Sequence, residues 1–198
     1  IGACLLSLPV ATQSGERVPF LDALFTATSA TCVTGLVIHD TALFWSPFGQ
    51  GVILLLIQVG GMGVVTMAVA IFMFSGRKIG LKQRWVMQES ISAPQVGGIV
   101  LRTRFILAVT LVLEGTGTLL LALRFCPEMG LFRGLWYAVF HAVSSFCNAG
   151  FDPFGFANSI EPFVADPVVN LTVMLLITPG AWAFRSFWIS CAIAASGC

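Results

Sequence analysis

A run of 27 residues without a single charged side chain, residues 49–75, constrains this chain more than any other feature. As an α-helix it would be about 40 Å long, which is enough to cross the roughly 30 Å hydrocarbon core of a bilayer. The rest of the chain is similar, since 57% of its 198 residues are hydrophobic and 10% are charged. A soluble domain of this size could not hide so much apolar surface, because folding buries only about 70% of it. We therefore predict an all-α membrane protein that crosses the bilayer several times.

The composition also excludes several classes of function. A formal net charge of +1 and the lack of a basic cluster of nucleic-acid type argue against DNA or RNA as a partner. The six cysteines have no CxxC spacing, so neither a disulfide framework nor a zinc site is expected. His39 and His141 lack ligand partners at metal-binding spacing, so we predict no catalytic residues and no cofactor in this chain.

The apolar segments fall into two length classes. Residues 105–125, interrupted only by Glu114, and a segment that begins at Pro167 and changes character at Pro179 are long enough to be spanning helices. Residues 19–30 and 135–145 would reach only about halfway across the membrane, as re-entrant pore helices do. Each of these half-length helices precedes a short segment that ends in glycine: Thr31, Cys32, Val33, Thr34 and Gly35 in one case, and Phe146, Cys147, Asn148, Ala149 and Gly150 in the other.

These two regions form an internal repeat, because aligning the glycines also aligns identical residues. The matched pairs are Ala23 with Ala138, Phe25 with Phe140, Ala27 with Ala142, Ser29 with Ser144, and Cys32 with Cys147. The repeat unit is a helix, a pore helix, a filter-like loop and a second helix. We predict a first pore repeat at 1–75 with an incomplete opening helix, a basic linker at 76–104, a second pore repeat at 105–178, and an aberrant tail at 179–198.

Charge gives the orientation and suggests the ion. Six of the ten basic residues lie in the linker, which is therefore expected to be cytoplasmic. Most acidic residues flank the half-length helices on the other side, where they would attract cations. Such a helix directs its negative C-terminal end toward the membrane centre, and the glycine allows the following carbonyls to replace a hydration shell. The alternative is that Gly35 and Gly150 only terminate ordinary helices, which is a common role of glycine.

The motifs in both repeats resemble one family. Residues 20–30, Thr34-Gly35-Leu36 and residues 58–63 resemble the first repeat of the Trk/Ktr/HKT potassium transporters, and residues 137–141 and 146–151 resemble the second. Residues 77–84 are similar to the linker of Ktr proteins. The resemblance implies four repeats around one pore, of which two are present here, and a location in the plasma membrane. The resemblance also implies K+ as the main ion, because the first filter has Gly35, and it leaves open whether Na+ is coupled to transport or leaks through. It further implies a homodimer that is gated by a cytoplasmic, nucleotide-binding RCK-type subunit.

Two alternatives of other classes stay open. The chain could be a membrane structural or assembly subunit, or an inactive truncated fragment, that keeps the repeat and conducts nothing. A membrane enzyme would have to use Glu114 and the two histidines, and the sequence shows no convergent polar site. We therefore predict that the protein is not an enzyme.

Two features inside the helices have competing explanations. Glu114 is costly in a spanning helix, so it is either functional or hydrogen-bonded between helices. Gly60, Gly61 and Gly63 destabilise an ordinary helix, so they either pack closely against a pore helix or form a gating hinge.

The tail departs from the repeat. After residue 177 the second unit should continue with a glycine motif, but residues 179–186 read Pro-Gly-Ala-Trp-Ala-Phe-Arg-Ser. The resembling family has a segment like Leu-Gly-Gly-Leu-Gly-Phe-Pro-Val here, and the loss of one base from suitable codons would convert it to the observed residues. We therefore predict a frame-shifted tail, and no K+ flux from this chain as a monomer.

Overall fold

The computed structural model describes residues 1–63, 98–155 and 160–195, and within these ranges the chain is built from helices, turns and loops. Two short 3-10 turns, Pro9–Ala11 and Glu161–Phe163, and one isolated bridge between Thr12 and Trp45 supplement the α-helices. In chain order the helices are α1 (Gly2–Leu6), α2 (Phe20–Cys32), α3 (Pro47–Gly61), α4 (Gly98–Met129), α5 (Leu131–Phe146) and α6 (Pro167–Ala195). The all-α fold predicted from the sequence is confirmed for these residues.

Helices α2 and α5 are the two half-length helices expected from the sequence. They have 13 and 16 residues, which correspond to about 20 and 24 Å. Helix α2 follows Pro19 and has Asp22 in its first turn, where a negative charge favours the helix dipole. Helix α5 begins four residues earlier than predicted, directly after Gly130, whose φ of +85° allows a sharp turn from α4.

The long helices agree only in part with the predicted spans. Helix α3 starts at a Ser46 cap, whose hydroxyl accepts a 3.2 Å hydrogen bond from the Gly49 amide. This helix ends at Gly61, followed by Met62 as its C-cap and by Gly63 with φ of +81°, so the prediction of one continuous helix over 49–75 is wrong at residues 62 and 63. Residues 64–75, and residues 76–97 of the basic linker, lie outside the described residues. Helix α4 already begins at Gly98, so the last part of the predicted linker is helical. Residues Arg104–Met129 of α4 form the one helix among the described residues that is long and apolar enough to cross a membrane.

Helix α6 continues through Pro179, where the sequence suggested a change of character. Proline keeps a helical φ, and membrane helices tolerate it where neighbours satisfy the freed backbone groups. Helix α6 therefore includes most of the residues predicted to form the aberrant tail.

Two hydrophobic cores hold the helices together. The first lies among α1, α2 and α3 and also contains Phe140 and Val143 of α5, so it joins the two halves of the chain. The second surrounds Phe125, whose ring centroid is 4.8 Å from that of Phe163 and 5.4 Å from that of Phe154. The opposite side of α4 leaves large apolar side chains such as Leu111 and Leu119 about two-thirds exposed. An apolar outer surface of this kind suits contact with lipid.

An ion pair connects the C-terminal part of α4 to the start of α6. The guanidinium of Arg124 donates to Asp166, and the other carboxylate oxygen of Asp166 accepts from the amides of Val168 and Val169 at 2.9 and 3.4 Å. Partial desolvation raises the pKa of Asp166, but the hydrogen bonds from Arg124 and from the two amides, together with the arginine charge, outweigh it. The pKa of this carboxyl is therefore below its ordinary value.

Asp166→Asn should lower the Tm by a few degrees at pH 7, because it removes the charge that Arg124 and the N-terminus of α6 bind. The folded-state pKa is lowered, so this stabilisation is present above the unfolded pKa of about 3.9 and is lost as pH falls through the folded value. Thermal unfolding in detergent between pH 7 and pH 3 measures the effect. The exposed Glu128 of α4 provides the control, Glu128→Gln. An Asp166→Asn deficit that persists undiminished at pH 3 would contradict the prediction.

Candidate functional site

Residues 31–35 and 146–150 have matching backbone conformations, although the prediction that they lie wholly outside the helices is wrong: Thr31 and Cys32 are the last residues of α2, and Phe146 is the last residue of α5. We call them the first and the second loop. Val33 and Asn148 each adopt a left-handed conformation with φ of 56°. The next amide then bonds back to a serine carbonyl, from Thr34 to Ser29 at 3.0 Å and from Ala149 to Ser144 at 2.8 Å. Both helices therefore end in a Schellman-type cap.

The two glycines are not the residues that cap these helices. The left-handed cap positions belong to Val33 and Asn148, and Gly35 and Gly150 lie two residues further along, with φ of +71° and +74°. Each loop thus has a second left-handed residue that helix termination does not require. This geometry argues against the simple helix-capping alternative for both glycines.

The two loops contact each other at their glycines. A Cβ atom on Gly35 would lie 2.6 Å from the carbonyl oxygen of Ala149 and 3.6 Å from the Cα of Gly150. A Cβ atom on Gly150 would have the Cα of Gly35 as its nearest neighbour, at 3.8 Å. Segments far apart in the sequence are therefore brought together at the glycines that the repeat alignment singles out.

Burial differs among the ten predicted site residues. Ala149 and Phe146 are buried; Thr31, Val33, Gly35 and Cys147 are half-buried; and Cys32, Thr34, Asn148 and Gly150 are exposed. Each loop therefore has residues that pack against the helices and residues that are exposed. Among the described residues, no cluster of three or more His, Cys, Asp or Glu side chains could hold a metal ion.

Two serines that match in the repeat form hydrogen bonds to residues in or directly after the loops. The Ser29 hydroxyl is 2.8 Å from that of Thr34, and the Ser144 hydroxyl donates to the Phe151 carbonyl at 2.8 Å. The sequence alignment paired these serines without assigning them a role. Their position two or three residues before the C-terminus of each helix was the available signal.

A histidine and an aspartate pair beside each loop. His39 Nε2 lies 3.2 Å from Asp22, and His141 Nε2 lies 3.2 Å from Asp152. The other ring nitrogen of His141 is 3.0 Å from the Tyr137 carbonyl. Both histidines thus have structural partners, and neither is near Glu114 in the hydrogen-bond network.

Glycines at the end of α3 allow this helix to touch both loops. A Cβ on Gly60 would lie 2.0 Å from the Thr31 carbonyl oxygen, and one on Gly61 would lie 2.4 Å from the Cys147 sulfur. These contacts confirm the close-packing interpretation for Gly60 and Gly61. We call the surface formed by these two glycines the α3 shoulder. Gly63 instead follows the helix with φ of +81°, a conformation that favours glycine.

Gly180 of α6 has the same relation to the second loop as Gly60 has to the first. A Cβ on Gly180 would lie 1.9 Å from the carbonyl oxygen of Phe146, the residue that matches Thr31 in the repeat. This role was missed from the sequence because the complete glycine motif is absent there. A single glycine at the matching position was the available signal.

Two glutamines of α3 form polar links to the second half of the chain. The Gln50 carbonyl oxygen accepts a 2.9 Å hydrogen bond from the Trp136 indole. The Gln58 amide donates to both carboxylate oxygens of Glu114, at 2.9 and 3.0 Å. Of the two explanations for Glu114, a hydrogen bond between helices is thus confirmed.

The TrkH family, described as cation transport proteins, matches residues 4–196. The chain is 42% identical over 184 residues to Ktr system potassium uptake protein B of Bacillus subtilis, and 39% identical over 183 residues to potassium/sodium uptake protein NtpJ of Enterococcus hirae. It is 37% identical over 182 residues to Ktr system potassium uptake protein B of Vibrio alginolyticus.

These alignments cover 92 or 93% of this chain and 39 or 40% of each relative. The chain thus spans about two-fifths of the length of the relatives it matches. The relatives are uptake proteins and not enzymes, which confirms the non-enzymatic class predicted from the sequence. Because the family match covers nearly the whole chain, the protein belongs to the TrkH family of cation transport proteins, which are integral proteins of the plasma membrane.

Proposed function

We propose that this chain supplies two of the segments that line a K+ pore, with backbone carbonyls of the first and second loops as ion ligands. The observation that carries the proposal is the contact between Gly35 and Gly150, both with positive φ and each beyond the end of a half-length helix. Backbone carbonyl oxygens of such loops can replace the water molecules around a dehydrated cation. The open side of each loop leaves room for the ion and for further pore segments.

Electrostatics favours a cation at this place. Helices α2 and α5 both end at the loops, so the partial negative charges of two helix C-termini converge there. Neither loop contains a charged side chain. Asp22 lies in the first turn of α2, and Asp40 and Asp152 lie in the segments that follow the two loops; these carboxylates would raise the local concentration of cations.

The names of the relatives indicate the ion. Two of them are potassium uptake proteins and one is a potassium/sodium uptake protein. We assign K+ as the main ion of this chain and Na+ as a second transported ion, with no bound cofactor in the chain itself. Gly35 in the first loop supports the K+ preference by resemblance to the Trk/Ktr/HKT family.

The remaining organisation follows the same proposal. Residues 1–75 and 105–178 would then be two pore repeats, and the basic residues of the 76–104 linker favour a cytoplasmic location for it. A complete protein would be a homodimer that binds a cytoplasmic RCK-type regulatory subunit. The pore itself requires further segments of the same kind around the ion.

Rubidium uptake in a host that lacks potassium import tests the proposal. A chimera in which this chain replaces the matching segment of the Bacillus subtilis relative should restore uptake, because the chimera contains a complete set of pore segments. The 198-residue chain by itself should give no flux as a monomer. A chimera that reaches the membrane and carries no rubidium would favour the alternative of a non-conducting subunit. Robust flux through the purified monomer would contradict the assignment of only two pore segments.

A further inference from the structure

We propose that Glu114 is a positioning residue for ion selectivity, which it controls by holding Gln58 and, through Gln58, the α3 shoulder against both loops. This inference rests on the proposed function and adds to it a residue outside the loops. Glu114 belongs to α4 and Gln58 to α3, so their hydrogen bonds link the two halves of the chain.

Glu114 is isolated in apolar surroundings. Its side chain is 7% exposed and lies in the middle of the longest apolar helix of the described residues. A carboxylate at this depth is unfavourable unless a partner compensates it. The Gln58 amide provides that compensation through two hydrogen bonds of 2.9 and 3.0 Å.

Gln58 in turn depends on Glu114 for its orientation. Its amide oxygen is buried and has no hydrogen-bond partner among the residues that the structure describes. The two bonds to Glu114 therefore determine how the carboxamide is oriented. Buried polar groups without a partner are rare in folded proteins. Here the hydrogen bonds that the same carboxamide donates to Glu114 account for the burial of Gln58.

Gln58 lies close to both loops along α3. It precedes Gly60 and Gly61 by two and three residues, so all three lie within one helical turn. Gly60 packs on the first loop and Gly61 on the second loop, in both cases with no room for a methyl group. Cys147 of the second loop lies at this contact, because a Cβ on Gly61 would be 2.4 Å from its sulfur. A shift of Gln58 would consequently move the surface on which both loops rest.

Two substitutions at Glu114 separate positioning from simple packing. In the chimera, Glu114→Leu should lower the ratio of K+ to Na+ uptake about tenfold, whereas Glu114→Gln keeps an oxygen acceptor for Gln58 and should retain most of the ratio. Gln58→Glu alone opposes two carboxylates and should also lose selectivity. The exchanged pair, Gln58→Glu with Glu114→Gln, restores a donor and an acceptor and should recover it.

A second measurement uses the 198-residue chain itself in membranes. The rate at which a thiol reagent modifies Cys147, followed on the Cys147 peptide by mass spectrometry, should rise more in Glu114→Leu than in Glu114→Gln, because both variants lack the negative charge and only leucine also removes the acceptor for Gln58. Thr116→Val is the matched control, because Thr116 is exposed on the same helix and its hydroxyl donates to the Leu113 carbonyl at 2.9 Å.

The outcomes distinguish this inference from the proposed function. Lack of K+ uptake by the unmodified chimera would overturn the proposed function and this inference with it. An unchanged uptake ratio in Glu114→Leu, in a chimera that still carries K+, would overturn only the positioning role. A lower uptake of both ions at constant ratio would do the same, because it indicates loss of folded protein.

Discussion

Replacing Gly35 with serine should remove most of the K+ preference of the pore, and the same change at Gly150 should have a smaller effect. Both positions have a positive φ, which costs a residue with a side chain about 1–2 kcal/mol. Only at Gly35 would the new Cβ also meet the Ala149 carbonyl oxygen, at 2.6 Å. That oxygen is a proposed ion ligand, so the collision changes the ligand geometry directly.

The ratio of rubidium to sodium uptake by the chimera measures this difference. We expect a loss of more than about tenfold in Gly35→Ser, where two penalties add, and of a few-fold in Gly150→Ser, where the backbone penalty acts alone. Gly15→Ser is a suitable control, because Gly15 has φ of +72° and lies outside the loops, and a Cβ added to it would have no atom within 4 Å. Unchanged ratios in both loop variants would count decisively against these glycines as part of a filter.

Gly60→Ala should disrupt the first loop and strongly reduce transport. The new methyl group would lie 2.0 Å from the Thr31 carbonyl oxygen, which is backbone and cannot rotate away. Either α3 or the loop must move, and overpacking of this kind costs about 1–3 kcal/mol or more. Helix propensity acts in the opposite direction by only about 1 kcal/mol, so we expect a net loss of stability.

Gly51→Ala in the same helix provides the comparison. Its new methyl group would be 3.8 Å from the Trp136 ring, an ordinary contact, so the gain in helix propensity should dominate. Thermal unfolding in detergent should therefore show a lower Tm for Gly60→Ala and an equal or higher Tm for Gly51→Ala. Equal stability of the two variants would indicate that Gly60 does not pack on the loop as described.

The features that could be predicted from the sequence depend on local pattern. The lengths of apolar runs identified α2 and α5 as half-length helices, because hydropathy and helical rise suffice for that inference. The alignment of Gly35 with Gly150 anticipated two equivalent loops. The family followed from the same motifs, which lie on adjacent residues and are visible without a structure.

Contacts between distant residues could not be predicted in this way. The hydrogen bonds between Gln58 and Glu114 join α3 to α4, although the two residues are far apart in the sequence. Gly180 packs against the Phe146 carbonyl although the rest of the glycine motif is absent from α6. The start of α4 at Gly98 was missed because basic residues near a helix end resemble a loop. The frame-shifted origin of residues 179–198 stays a prediction, which sequencing of the gene would test.

Valine and asparagine occupy the matching left-handed positions of the two loops, and this difference has a mechanical consequence. Asparagine tolerates the conformation, whereas a β-branched residue there carries backbone strain of about 1–3 kcal/mol. Val33 is retained against this strain by its packing on the first core, while the Asn148 side chain lies 3.5 Å from the Ile177 carbonyl of α6. A movement of Val33 out of the left-handed region would release this strain, whereas the second loop holds no matching strain. If the two loops line a pore as proposed, we therefore expect the ligands of the first loop to shift further than those of the second when an ion passes.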